Sequence, residues 1–160
     1  MSSKDPIYLD HNATTPLLPE VVDAMLPYLR EHFGNPSSGH VYGSRARAAV
    51  AHAREQVAAL LGCDADEIVF TSGGTEANNL AIRGVTEALE RKRHVVTTVI
   101  EHPATARPCV WLEKHERSVM RIGVDADGRA RVDVAREAID GDTALVTVMH
   151  SNNETGVLQP

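Results

Sequence analysis

The chain has 160 residues, 16 Lys+Arg against 22 Asp+Glu for a net charge of −6, and a hydrophobic fraction of 42%. That length supports one domain with a real core, and acidity without a basic stripe argues against a nucleic-acid partner. No apolar run approaches the ~18 residues of a membrane span, residues 1–10 hold no apolar signal core, and two cysteines make no disulfide framework, so a cytoplasmic address is expected.

Residues 1–18 read as irregular, with Ile7, Tyr8 and Leu9 apolar enough for a short strand before the turn-rich "DHNATTP". Pro19 suits the first turn of a helix, where its missing N–H costs nothing. Val21, Val22, Met25, Leu26, Leu29 and Phe33 recur at helical spacing, with Gly34 as the residue beyond the C-terminus. Pro27 interrupts that pattern and predicts a kink or a lost backbone bond. "GNPSSGHVYG", residues 34–43, reads as a loop. Ser44 is the expected cap of a second helix, with Ala49, Val50, Ala53, Val57, Leu60 and Leu61 along one face and Gly62 at its end.

Ile68 to Thr71 is short, apolar and β-branched, which predicts a buried strand. A helix is expected over 76–90, a strand over 94–100, a helix over 104–114 and a strand over 118–122. Asp125 to Gly128 is a turn, residues 133–139 a helix, residues 143–149 a strand, and "HSNNETGVLQP" a loop. Strands alternating with helices imply right-handed crossovers and the α/β class: three layers, a mostly parallel sheet flanked by helices. No repeat, low-complexity tract or linker divides the chain.

Three polar tips follow three of these expected strands, at the carboxyl ends where α/β sheets bind ligands. The first is Ser72-Gly73-Gly74-Thr75. The opening N–H groups of a helix lack internal partners and carry partial positive charge, glycine lets backbone approach a ligand, and Thr75 adds a hydroxyl, so an anion such as phosphate fits. The alternative is a plain tight turn and cap. The nucleotide fingerprints G-x-x-x-x-G-K-[ST] and G-x-G-x-x-G are absent, which removes the usual signatures of ATP and NAD. The second tip is His102, whose imidazole can stack on a flat ring or exchange protons near neutral pH; its bland reading is a surface or capping histidine. The third is "MHSNNETG", where Asn152 and Asn153 offer amide donors for a phenolate or carboxylate oxygen, or only a turn. His102, Cys109 and His115 lack the spacing of a structural zinc site, and no metal is expected.

"YLDHNATTP" (8–16), "FGNPSSGHVYG" (33–43), "EIVFTSGGTEANNLAIRG" (67–84), "EHPA" (101–104) and "MHSNNETGVLQP" (149–160) together carry a resemblance to a known family. The sequence resembles the cysteine desulfurases of the NifS/IscS type, pyridoxal-phosphate enzymes of fold type I and aminotransferase class V. The resemblance implies that Gly74 and Thr75 cradle the cofactor phosphate. It implies that His102 stacks on the pyridine ring and moves protons in catalysis, and that Asn153 bonds the phenolic oxygen. It implies a homodimer, L-cysteine as substrate, alanine as product, sulfur carried as an enzyme persulfide, and an iron–sulfur scaffold or thiolation relay as acceptor. Residues 1–18 are then expected at the small domain or dimer interface, and 19–160 in an incomplete large cofactor domain.

The family's Schiff-base Lys and persulfide Cys have no match here: Lys4, Lys92 and Lys114 lie in other contexts, as do Cys63 and Cys109. The expectation is an N-terminal portion that does not desulfurate cysteine alone. Other class V enzymes, a selenocysteine lyase or an aminotransferase, and a non-catalytic half-domain docked on a partner remain open at this point.

Overall fold

The computed structural model describes residues 6–160, so the opening of the 1–18 segment and Lys4 lie outside the described residues. The chain divides into two compact units, residues 1–70 and 71–160.

In the first unit, helix α1 runs Pro19–Arg30 with Pro19 in its first turn, Glu20 near its N-terminus and Arg30 in its last turn. Those charges complement the helix dipole. Pro27 is accommodated inside α1. Helix α2 runs Val41–Leu61 and starts before the expected Ser44 cap: His40 caps it, Nδ1 accepting from the Gly43 N–H at 3.4 Å. Gly62 closes it at φ 71°, the left-handed conformation that glycine adopts without a Cβ clash. The buried residues of α2 are Gly43, Ala46 and Ala58, while Leu60 is 84% exposed, so the expected apolar face is only partly the covered one. Gly34 does not end α1, whose cap is Glu31. Its role is close packing, since a Cβ there would lie 2.3 Å from the Tyr42 carbonyl oxygen.

Two expected strands of this unit are absent among the described residues. Ile7–Leu9 forms none, and Ile68–Phe70 runs extended without a ladder partner after a 3-10 turn at Ala65–Glu67. Val69 is 65% exposed rather than buried. The reason lies in α2: Arg54 Nη1 donates to the Ile68 carbonyl and its guanidinium lies 5.0 Å over the Phe70 ring. A side-chain donor thus takes the bond that a neighbouring strand would have supplied.

The second unit is a parallel three-stranded sheet flanked by helices. Its order in sequence is α3 (Gly74–Ala88), β1 (His94–Thr98), α4 (Pro103–Glu113), β2 (Ser118–Ile122), α5 (Val132–Ala138) and β3 (Thr143–Val146). The sheet order is β2-β1-β3, so β1 is central. His94 pairs with Ser118 on one side and Thr143 on the other, with an irregularity between His94 and Val95 against β3. Being covered on both faces, β1 is buried without alternation: Val95, Val96, Thr97 and Thr98 are all buried. Ile82 of α3, Val95 and Leu112 of α4 form the core, with Trp111, Val119 and Leu145 packed against it. Cys109 is buried on α4, and burial pushes its thiol up from the ordinary range, so it stays protonated as a small core residue. Glu113 of α4 and Arg121 of β2 make a two-pronged ion pair at 2.6 and 3.0 Å, which holds the Glu113 carboxyl below its usual value. Among the described residues no helix is long and apolar enough to cross a membrane.

Candidate active site

Helix α3 opens directly on the glycines. Gly73 is its N-cap and no side chain caps its first turn. The first intrahelical bond is from the Ala77 N–H to the Gly73 carbonyl at 3.0 Å, so the N–H groups of Gly74, Thr75 and Glu76 precede the ladder. A Cβ placed on Gly73 or Gly74 would meet nothing within 4 Å. Backbone there is open to a ligand. Glu76 turns back instead: Oε2 accepts from the Ser72 N–H at 2.7 Å and the Ser72 hydroxyl at 2.5 Å. Those bonds, the hydroxyl's first, hold the Glu76 carboxyl below its usual value. They fix the turn while leaving the Gly74 and Thr75 amides to another acceptor.

His102, unlike Gly73, caps its helix with a side chain. Its Nδ1 accepts the Ala104 N–H at 3.0 Å, with Pro103 next in the chain as the first helical residue. A ring nitrogen that accepts cannot carry the proton, so the neutral ring keeps its proton on Nε2. The N-termini of α3 and α4 open on one cavity of about 390 Å³, lined by both Thr75 and His102. Gly74 and Asn153 are not among its lining residues.

Sequence reasoning missed the cavity's other polar groups. Asn79 and Arg83 follow Thr75 at four-residue steps on α3, and Arg107 and Trp111 follow Pro103 the same way on α4. That spacing places each set on one helix face, which is the signal that was available. Arg83 lies 3.9 Å over the Trp111 ring and bridges the two helices roughly two turns in from their N-termini.

The two asparagines after β3 part company. Asn152 is buried, and its Oδ1 accepts from the N–H groups of Glu154 and Thr155 at 3.0 and 2.9 Å. It serves the loop. Asn153 is exposed, with Nδ2 donating to the Glu154 carboxylate at 3.2 Å. The bend at 72–75 is not preceded by a ladder-paired strand, so its position is set by α3 and the Glu76 turn. Among the described residues no group of three or more His, Cys, Asp or Glu side chains can hold a metal ion.

Comparison with known proteins covers the same stretch. The model of the family described as aminotransferase class-V matches residues 7–160. A curated cysteine desulfurase of Trichormus azollae is 51% identical over 154 residues, 96% of this chain and 38% of the relative. Cysteine desulfurase IscS of Dictyoglomus turgidum is 48% identical over 158 residues, 98% of this chain and 40% of the relative. Among solved structures, a NifS-like protein superimposes with TM-score 0.93 at 39% identity, covering 96% of this chain and 43% of that one. A structure described as SspA in complex with cysteine gives TM-score 0.89 at 40% identity, over 96% of this chain and 44% of the other. The chain therefore spans about two fifths of the length of the curated relatives it matches.

Proposed function

The chain belongs to the aminotransferase class V family, and from that premise we propose that it provides the phosphate-binding and ring-facing residues of a pyridoxal-phosphate-dependent cysteine desulfurase. The observation that carries the reading is the single cavity onto which two helix N-termini open, with Thr75 on one and His102 on the other. The residues present suit the cofactor: uncapped first-turn amides and open glycine backbone fit a phosphate dianion.

The Gly74 and Thr75 amides and the Thr75 hydroxyl hold the phosphate. When bound, pyridoxal 5′-phosphate supplies an electron sink for the carbanion formed on the amino-acid substrate. His102, its Nδ1 engaged by Ala104, presents its ring face for stacking and keeps an exchangeable proton on Nε2. Asn153 donates its amide to the phenolic oxygen. The same reading carries L-cysteine as substrate, which accords with the relatives' names and with the cysteine complex of SspA. It also carries sulfur transfer to an iron–sulfur scaffold or other acceptor, a homodimer and a cytoplasmic address. Residues 19–160 then belong to the large cofactor domain and residues 1–18 to the small domain or dimer interface.

The test compares retention of pyridoxal phosphate and unphosphorylated pyridoxal after dialysis, in the protein and in Thr75→Val. Loss of a charge-assisted bond worth roughly 1.5–3 kcal/mol should weaken binding of the phosphorylated form about tenfold or more. Equal retention by both proteins would remove the cradle.

A further inference from the structure

We propose that Glu101 is a positioning residue that, together with Asn152, locks the loop carrying His102 to the loop carrying Asn153. The inference rests on the cofactor reading only for what those two residues face. β1 and β3 are paired neighbours, and the ladder between them ends with the Thr147 N–H on the Val96 carbonyl at 2.9 Å. Beyond that bond β3 leaves the sheet, and β1 stays paired only with β2 through Thr98 before it too becomes a loop, so the β1–β3 ladder no longer sets how the two loops sit against each other.

Two side-chain bridges take over. Glu101 Oε1 accepts from the Met149 N–H at 2.9 Å and from the Thr98 hydroxyl at 2.7 Å. Asn152 Nδ2 returns the link, donating to the Ile100 carbonyl at 3.1 Å. One bridge starts from each loop and ends on the other. Each bridging residue directly precedes a proposed site residue: Glu101 before His102, Asn152 before Asn153. Asn152 is buried and Glu101 half-buried, while both successors are exposed. A carboxylate receiving a backbone N–H is directional and charge-assisted, and with the second bridge it fixes separation as well as proximity. Neither residue needs to touch a ligand for this. A group misplaced by as little as about 1 Å forfeits much of its effect in a preorganised site.

The experiment uses the protein, Glu101→Ala and Glu101→Gln. It reads amide hydrogen exchange at Met149, and the circular dichroism induced in added pyridoxal phosphate, which reports ring orientation. Glu101→Ala should speed Met149 exchange by about tenfold or more while leaving Val95 and Val96 protected. It should keep the cofactor, since the cradle on α3 is untouched, but change the induced band. Gln retains the accepting oxygen and should restore both readouts. Should the alanine protein fail to fold, Glu101→Asp, whose shorter carboxylate cannot reach Thr98 and Met149 together, gives the same pair of effects in milder form. Unchanged Met149 exchange overturns the lock, and an unchanged induced band with faster exchange overturns the positioning role. A wild-type protein that shows no induced band removes the cofactor reading instead, while exchange and its rescue by Gln still decide the lock.

Discussion

The side-chain amide of Asn152 donates to the carbonyl of Ile100 at 3.1 Å, across 52 positions of sequence. The same side chain gathers the Glu154 and Thr155 N–H groups on its oxygen, at 8% exposure. One residue therefore supplies the donor that one loop needs and the acceptor that its own loop needs.

Asn152→Ala should cost about 1–3 kcal/mol, the usual penalty for stranding buried polar groups. Denaturant unfolding followed by far-ultraviolet circular dichroism reads this as a lower midpoint at unchanged slope. Asn152→Asp keeps the acceptor and loses the donor, so it should fall between the two. A midpoint equal to that of the wild type would contradict the role given to Asn152.

A glycine pair in the first unit gives a sharper contrast. A Cβ on Gly43 would lie 2.3 Å from the Ser38 carbonyl oxygen and 2.7 Å from that of Asn35, whereas one on Gly39 would meet nothing within 4 Å. Backbone oxygens cannot swing aside as a flexible side chain does. Gly43→Ala should therefore destabilise by about 1–3 kcal/mol through forced backbone movement, and Gly39→Ala should stay within about 0.5 kcal/mol of wild type. Thermal melts of the two proteins check the difference, and matched melting temperatures would exclude the close approach.

The turn before α3 should respond to acid. Glu76 has its carboxyl lowered from the ordinary 4.5 by the Ser72 hydroxyl and then the Ser72 N–H. A depressed folded-state pKa means the contribution is present above the unfolded value and is lost as pH falls through the folded one. Stability of the 72–76 turn should thus be level above about pH 5 and decline below the ordinary glutamate value. Ser72 amide exchange, measured against pH after correction for intrinsic chemistry, should accelerate in that window. Glu76→Gln should abolish the pH step and leave Ser72 less protected at neutral pH. A pH-independent Ser72 would rule out the carboxylate as its partner.

Much of the site was readable because its chemistry is local. A glycine pair before a helix announces free amides, and a histidine between an expected strand and an expected helix is placed to cap that helix. Both sit where the sequence places them, at α3 and α4. What sequence could not separate was Asn152 from Asn153, because both are the same residue in the same turn. The Ile100 carbonyl, brought alongside by the pairing of β1 with β3, gives Asn152 a partner that lies outside its own turn. Arg83 shares a helix face with Thr75 by its spacing, but its stacking has no local sign, since the Trp111 ring lies on another helix.

By itself the sequence determined where chain direction changes: Pro19 opening α1, Gly62 closing α2 and Gly128 in its turn at φ 81°. Those features follow from one residue's own φ preference or from a few neighbours. Tertiary structure decided whether an extended segment became a strand. Residues 94–96 found partners on both edges, while 68–70 gave a carbonyl to Arg54. Extended backbone stores no bonds within itself, so its fate rests on groups supplied from elsewhere in the fold.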